Sequence, residues 1–190
     1  MLRKIKGDIW SFDSSFVVIP TNLEGVCGRG LAAQMVAKNP SIGSALREQG
    51  KSGNLVRIYD DSSMGLHVFC DTQILTRFIV IFPVKRCWRD EADLSMICKS
   101  AERLKVLLQN TSSVLVRNPF YCIMPYVGCG FGELTPEVVM PVLEPILEPV
   151  SNRVLMIEPD PDVFNRYKSS FKPGYRSDKS AVNANLPPSL

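Results

Sequence analysis

An apolar strand breaks into a glycine-rich loop and then an alanine-rich helix start between Val17 and Gln34. Few local patterns restrict a chain as much. Glycines let the backbone approach a ligand with no Cβ in the way. A helix N-terminus adds free N–H groups and the positive end of a dipole, which suits phosphate. The same glycines serve tight turns equally well, so the stretch alone leaves both readings open. Gly28-Arg29-Gly30-Leu31-Ala32-Ala33 has the spacing GxGxxA of a dinucleotide fingerprint. That fingerprint needs its first glycine directly after the strand. Here Thr21 to Gly28, eight residues, follow the Pro20 that closes the strand, and the tight turn is lost.

Composition narrows the class. The 190 residues are 45% hydrophobic and 22% charged, the balance of one globular domain rather than a disordered chain. A formal charge of +3 permits an acidic partner without demanding one. The longest apolar runs, such as Phe78 to Val84, are too short to span a bilayer. The N-terminus has no long apolar core of a signal peptide, so the expected location is the cytoplasm. The six cysteines form no CxxC pair and there is one histidine, His67, which leaves a zinc site or a Cys–His hydrolase without support.

Along the chain, Leu2 to Ile9 reads as an edge strand, Ser15 to Pro20 as a buried strand, and Leu31 to Lys38 as a helix ending before Asn39-Pro40. Ser41 to Gln49 reads as a short helix stopped by Gly50. Asn54 to Tyr59 and Leu66 to Cys70 read as strands, and Thr76 to Phe82 as a central strand covered on both faces. Leu94, Ile97, Cys98, Ala101, Leu104 and Leu108 recur at helical spacing. Phe120 to Met124 is the next strand. Thr135 and Pro136 then open a helix that Pro141 and Pro145 should kink or shorten. Arg153 to Glu158 is the last strand. Alternating strands and helices predict an α/β layered domain over 1–160 and a polar C-terminal extension over 161–190.

Three loops carry a more specific signal. They are Gly7-Asp8-Ile9, Asn22 followed by Gly25-Val26-Cys27-Gly28-Arg29-Gly30, and Gly128-Cys129-Gly130-Phe131-Gly132, with Phe82 to Arg89 between the last two. In this order they resemble the macrodomain family, and within it the DNA ADP-ribosyl glycohydrolase branch, the antitoxin macrodomains of DarG type. The resemblance covers roughly residues 3–158. It implies a three-layer α/β sandwich around a mixed six-stranded sheet, with ADP-ribose across the strand ends. It also implies that Asp8 accepts from the adenine amine while Ile9 donates its backbone N–H. The two glycine loops (Gly28, Arg29, Gly30; Gly128, Cys129, Gly130, Phe131, Gly132) would wrap diphosphate and distal ribose, as anion-binding nests do. Asn22 would meet that ribose, its amide both donating and accepting. An Asx-turn after the strand would account for Asn22, and a simple turn cap for Asp8, without any ligand. Ile19 stands where such macrodomains carry a further asparagine.

The catalytic candidates are Lys85, implicated by the resemblance in cleavage at the distal anomeric carbon, and Asn22 beside it. An ordinary lysine titrates near ~10.4. Burial and the adjacent Arg86 should lower that value enough for nucleophile or base chemistry. Val84 replaces an expected threonine. Gly132 replaces the aspartate of protein-directed relatives, leaving Glu24 or Glu133 to supply a carboxylate. Arg86, Trp88 and Arg89 form a cationic and aromatic cluster suited to single-stranded DNA, though a solvated face explains it too.

The expected function is removal of ADP-ribose from a modified macromolecule, ADP-ribosylated DNA before protein. No metal or other cofactor is expected. Expected partners are ADP-ribose or an ADP-ribosylated substrate, single-stranded DNA and an ADP-ribosyltransferase toxin, with no membrane and a monomeric chain. The rival readings are a non-catalytic ADP-ribose-binding module and a phosphatase acting on ADP-ribose 1″-phosphate.

Overall fold

The computed structural model describes residues 1–61, 63–74, 77–111 and 122–159. Its sheet has the order β1-β6-β5-β2-β4-β3, built from β1 (Arg3–Gly7), β2 (Phe16–Asn22), β3 (Val68–Cys70), β4 (Phe78–Lys85), β5 (Cys122–Pro125) and β6 (Val154–Pro159). All neighbours pair in parallel except β3, which runs antiparallel to β4 at one edge. β1 forms the other edge, as its alternating basic residues predict.

The unbroken apolar run of β2 follows from its place between β5 and β4. Its side chains alternate between two cores. Phe16 and Val18 join Val80 and Phe82 beneath α4 (Leu94–Asn110) and α5 (Pro136–Leu147). Val17 and Ile19 join Ile79 and Ile81 beneath α1 (Gly30–Lys38), α2 (Pro40–Lys51) and α3 (Asn54–Asp60). The result is the mixed six-stranded sheet between helical layers that the resemblance implies. Among the described residues no helix is long and apolar enough to cross a membrane.

Several expectations need correction, among them the stop at Gly50, since α2 runs through it to Lys51. Asn54 to Tyr59 is the helix α3 and not a strand. Leu55 and Tyr59, four apart, bury one face against the second core. Arg103 of α4 then donates to the carbonyls of Ile58 (3.2 Å), Tyr59 (2.8 Å) and Asp61 (2.6 Å), closing the helix's C-terminal end. The strand expected from Leu66 is shorter and starts at Val68, while the central strand runs on to Lys85. Finally, α5 continues through Pro141 and Pro145. Both rings are exposed, so water can bond the carbonyls that lose a helical partner. Only beyond Leu147 does the chain tighten, into a 3-10 segment (Glu148–Arg153). The start of the expected Phe120 strand and the extension 161–190 lie outside the described residues.

Candidate functional site

The loops singled out in the sequence leave the carboxyl ends of parallel strands, where open α/β sheets collect ligands. Asp8 follows β1, the second glycine loop follows β5, the first follows β2, and Lys85 ends β4. Sheet order places these along one rim as Asp8, Gly128–Gly132, Asn22–Gly30 and Lys85. From β1 to β4 is four strand spacings, roughly 19 Å. That length fits an extended nucleotide-sugar better than a compact substrate.

At the β1 end, Asp8 caps a single 3-10 turn (Ile9–Ser11), its carboxylate accepting from the Trp10 N–H at 3.0 Å. Ile9 is buried. Trp10 is held by its indole N–H on Gln34 Oε1 (2.7 Å), with Lys38 and Arg77 over its ring.

In the first glycine loop, Asn22 folds its amide onto Val26. Its Nδ2 donates to the Val26 carbonyl (2.8 Å) and its Oδ1 accepts the Val26 N–H (3.1 Å). The local turn therefore uses one donor and one acceptor of the amide, leaving one N–H and one lone pair. The loop is anchored on both sides. Leu23 N–H donates to the Lys85 and Arg86 carbonyls, and a Cβ on Gly25 would stand 2.0 Å from the Leu46 carbonyl oxygen. Gly28 and Arg29 are exposed, as is the neighbouring Val26.

Phe131 joins the two loops. Its exposed ring lies beneath the Arg29 guanidinium, 5.6 Å from carbon to centroid, and a Cβ on Gly30 would come within 3.2 Å of it. Its carbonyl accepts from Lys85 Nζ at 2.8 Å, and the Asp90 carbonyl accepts from the same nitrogen at 2.7 Å. Lys85 is only 9% exposed. Burial pushes its ammonium below the ordinary lysine range, while the charges of Glu133, Asp90 and Cys87 push the other way. Arg86, expected to act on Lys85, instead pairs with Asp60 at 3.1 Å on an exposed face. The depression therefore comes from desolvation.

Two carbonyls on one amine have a chemical consequence. They take two of the three tetrahedral N–H directions. The third carries a proton when Lys85 is charged and a lone pair when it is neutral. No described protein group is bonded there, which is the arrangement required of a base or nucleophile.

Gly132 has a packing reason for its identity. A Cβ there would stand 2.5 Å from the Gly128 carbonyl oxygen and 2.8 Å from the Ala92 Cβ. Nor could an aspartate fit at this position without displacing backbone. Gly132→Ala is expected to cost about 1–3 kcal/mol by overpacking. Gly130→Ala, where nothing lies within 4 Å, should stay within about 0.5 kcal/mol. Urea unfolding of both variants checks the contrast, and equal midpoints would contradict it.

Of the expected DNA-contact cluster, Arg89 stacks on the Trp88 ring at 4.2 Å, and the Trp88 N–H donates to Glu24 Oε2 at 3.0 Å. Glu24 is thereby engaged by the Trp88 N–H. Asp90 and Ala92 were not foreseen as site residues. The first supplies a Lys85 acceptor and bonds the Cys87 N–H through Oδ2 (3.0 Å); the second donates its N–H to the Gly132 carbonyl (2.8 Å). Burial raises the thiols of Cys27 and Cys129 to about 11, so neither loop cysteine is a ready thiolate. Among the described residues no group of three or more His, Cys, Asp or Glu side chains could hold a metal ion. A small concavity lined by Tyr59, His67, Pro83 and Arg103 reaches Asn22 and Leu23, the start of the first glycine loop, from the β3 side.

Neither a protein-family profile nor a curated protein sequence matches this chain. Solved structures do. The macrodomain of Mycobacterium tuberculosis DarG is 23% identical with a TM-score of 0.69, over 84% of this chain and 99% of that one. The macrodomain of Thermus aquaticus DarG is 22% identical with a TM-score of 0.65, over 83% and 97%. Thermosipho africanus DarTG, solved in complex with ADP-ribose, is 17% identical with a TM-score of 0.65, over 85% of this chain and 43% of that one. The chain has the macrodomain fold.

Proposed function

We propose that this protein binds ADP-ribose along the rim and hydrolyses the bond joining its distal ribose to a macromolecule, with ADP-ribosylated DNA as the preferred substrate. One observation carries the reading. The rim sets a carboxylate at one end, two glycine loops in the middle and a desolvated lysine at the other end, in the order adenine, diphosphate and distal ribose require. The ADP-ribose complex of a protein with the same fold supports the ligand class.

In this reading the second oxygen of Asp8 accepts from the adenine amine, and N–H groups around Gly28–Gly30 and Gly128–Gly132 surround the diphosphate. The Phe131 ring, leaning on Gly30 under Arg29, closes over that central segment. Asn22 offers its remaining N–H and lone pair to a ribose hydroxyl. Neutral Lys85 directs its lone pair at the distal ribose, while the Asp90 and Phe131 carbonyls keep it from rotating away. The cation-over-ring pairs Arg29–Phe131 over the central segment and Arg89–Trp88 beyond β4 favour a polyanion with stackable bases.

The test uses the whole chain with ADP-ribosylated single-stranded DNA, ADP-ribosylated protein and ADP-ribose 1″-phosphate, beside calorimetry with free ADP-ribose. Expected are binding in calorimetry and faster ADP-ribose release from DNA than from protein. Binding without release from any substrate reduces the protein to an ADP-ribose-binding module. Phosphate release as the fastest reaction makes it a phosphatase. Absence of binding overturns the reading altogether.

A further inference from the structure

The turn at Asp8 and Ile9 continues into a tryptophan whose indole reaches across to a different element. Trp10 Nε1–H donates to Gln34 Oε1 of α1 at 2.7 Å, and Lys38 Nζ lies 5.5 Å from the centroid of the same ring. Gln34 and Lys38 are one helical turn apart, and Gly30, the first residue of α1, stands one turn before Gln34. The three therefore share one side of the helix. That side leads from the indole to the α1 N-terminus, where the first glycine loop ends. The tryptophan is held at its own end as well. Its backbone N–H is bonded to Asp8 Oδ1, and the guanidinium of Arg77, paired with the buried Asp71, lies 5.7 Å from its ring centroid.

Strand pairing alone sets the two ends only indirectly. The Asp8 turn follows β1 and α1 follows β2, with β6 and β5 between them, three strand spacings or roughly 14 Å. The indole bond joins turn and helix directly. We propose that Trp10 and Gln34 are positioning residues that fix the Asp8 turn against the N-terminus of α1, so that one ligand can engage both. The inference rests on the ADP-ribose reading above, with adenine at Asp8 and diphosphate at the start of α1. Neither residue needs to touch the ligand. A ligand that spans two subsites binds best when their separation is set beforehand, because ordering them on binding costs affinity.

The experiment uses the full chain as wild type, Trp10→Phe, Gln34→Leu and the double variant, with calorimetry on free ADP-ribose well below each melting temperature. Each single change removes one partner of the bond and should weaken binding by about fivefold, the size of one hydrogen bond. The double variant should bind no more weakly than the poorer single, because the second change finds no bond left to break. Single-turnover ADP-ribose release at saturating substrate should stay within about twofold of wild type in all three variants, since Lys85 ends β4, beyond β2. Unchanged affinity in both single variants, or losses that add in the double, would overturn the assignment. So would a saturated rate that falls as far as the affinity, which is the mark of a loosened fold. If wild type binds ADP-ribose and releases none, the affinity cycle still decides the inference and only the hydrolase reading falls. If wild type does not bind ADP-ribose, the ligand reading and this inference fall together.

Discussion

Lys85→Ala is expected to lower ADP-ribose release by about a thousandfold, within the range that loss of one positioned proton-transfer group or nucleophile produces, while affinity for free ADP-ribose should stay within about threefold. The split follows from where the lysine sits. In the proposed reading adenine is held by Asp8, four strands from β4, and the diphosphate by the glycine loops after β5 and β2, so most of the binding contacts should survive. What disappears is the one amine whose remaining direction is unbonded among the described residues. Lys85→Arg should be nearly as inactive. A guanidinium keeps the positive charge but is never deprotonated at working pH, and its planar fork does not match two carbonyls arranged for a tetrahedral ammonium. Activity should rise with pH as the depressed amine loses its proton, with a midpoint below the ordinary lysine value. Single-turnover release from ADP-ribosylated DNA, with calorimetry on the same preparations, checks each part. Full activity in Lys85→Ala would remove the mechanism and leave the binding rim intact. A parallel loss of affinity and rate would mean that the lysine serves as a structural brace between the two loops.

The sheet was legible because its central strands must be apolar throughout. Phe16 to Ile19 and Ile79 to Phe82 are buried on both faces, and no other role suits such runs in a chain of this composition. α4 was legible because one face of a long helix repeats itself. α3 was not. Leu55, Val56, Ile58 and Tyr59 include the β-branched and aromatic residues of a strand, but they also lie at helical spacing. The choice is made by Arg103, more than forty residues away, which bonds the three carbonyls at its end. The site divides in the same way. Its loops announce themselves by glycine and order. The environment of Lys85 depends on two carbonyls from separate loops, and neither carbonyl carries a residue-type signature. Arg86 next to Lys85 in sequence suggested a charge effect, yet consecutive residues at a strand end point to opposite sides. Asp60 takes the arginine there. Gly132 read as a missing carboxylate is a statement about absence; the Gly128 carbonyl 2.5 Å from where its Cβ would lie gives the positive reason.

Breaking the ion pair between Asp71 and Arg77 should destabilise the protein more than any other single change considered. The two side chains are 1% and 4% exposed, with Arg77 Nη2 2.8 Å and Nε 2.9 Å from Asp71 Oδ2. Asp71 Oδ1 also accepts the N–H groups of Gln73 (2.9 Å) and Ile74 (3.4 Å). Removing either partner strands a buried charge, which typically costs ~3–5 kcal/mol. Arg77→Ala should therefore lower the melting temperature by roughly 10 °C for a domain of this size. Arg77→Met combined with Asp71→Leu should recover much of the loss, because an apolar pair leaves no charge unpaired. Burial pushes the Asp71 carboxyl up, but the N–H bonds from Gln73 and Ile74 and the Arg77 guanidinium outweigh it, and the group titrates below the ordinary aspartate value. A depressed carboxyl contributes stability that is complete above the unfolded value, about pH 4, and is lost as pH falls through the folded one. The gap between wild type and Asp71→Asn should accordingly be full at neutral pH and shrink on acidification below about pH 4. Function should follow stability here. Arg77 lies over the Trp10 ring, Trp10 bonds Gln34 of α1, and Trp10 follows directly on the Asp8–Ile9 turn proposed to hold adenine. The buried Asn39 ties the same strand connection to the α1–α2 junction by accepting from the Thr72 N–H at 2.7 Å. Arg77→Ala measured well below its melting temperature should thus weaken ADP-ribose binding several-fold while leaving the Lys85 titration where it was. Unchanged affinity would confine the pair to stability, and a shifted Lys85 titration would mean that the two ends of the rim are coupled through the sheet.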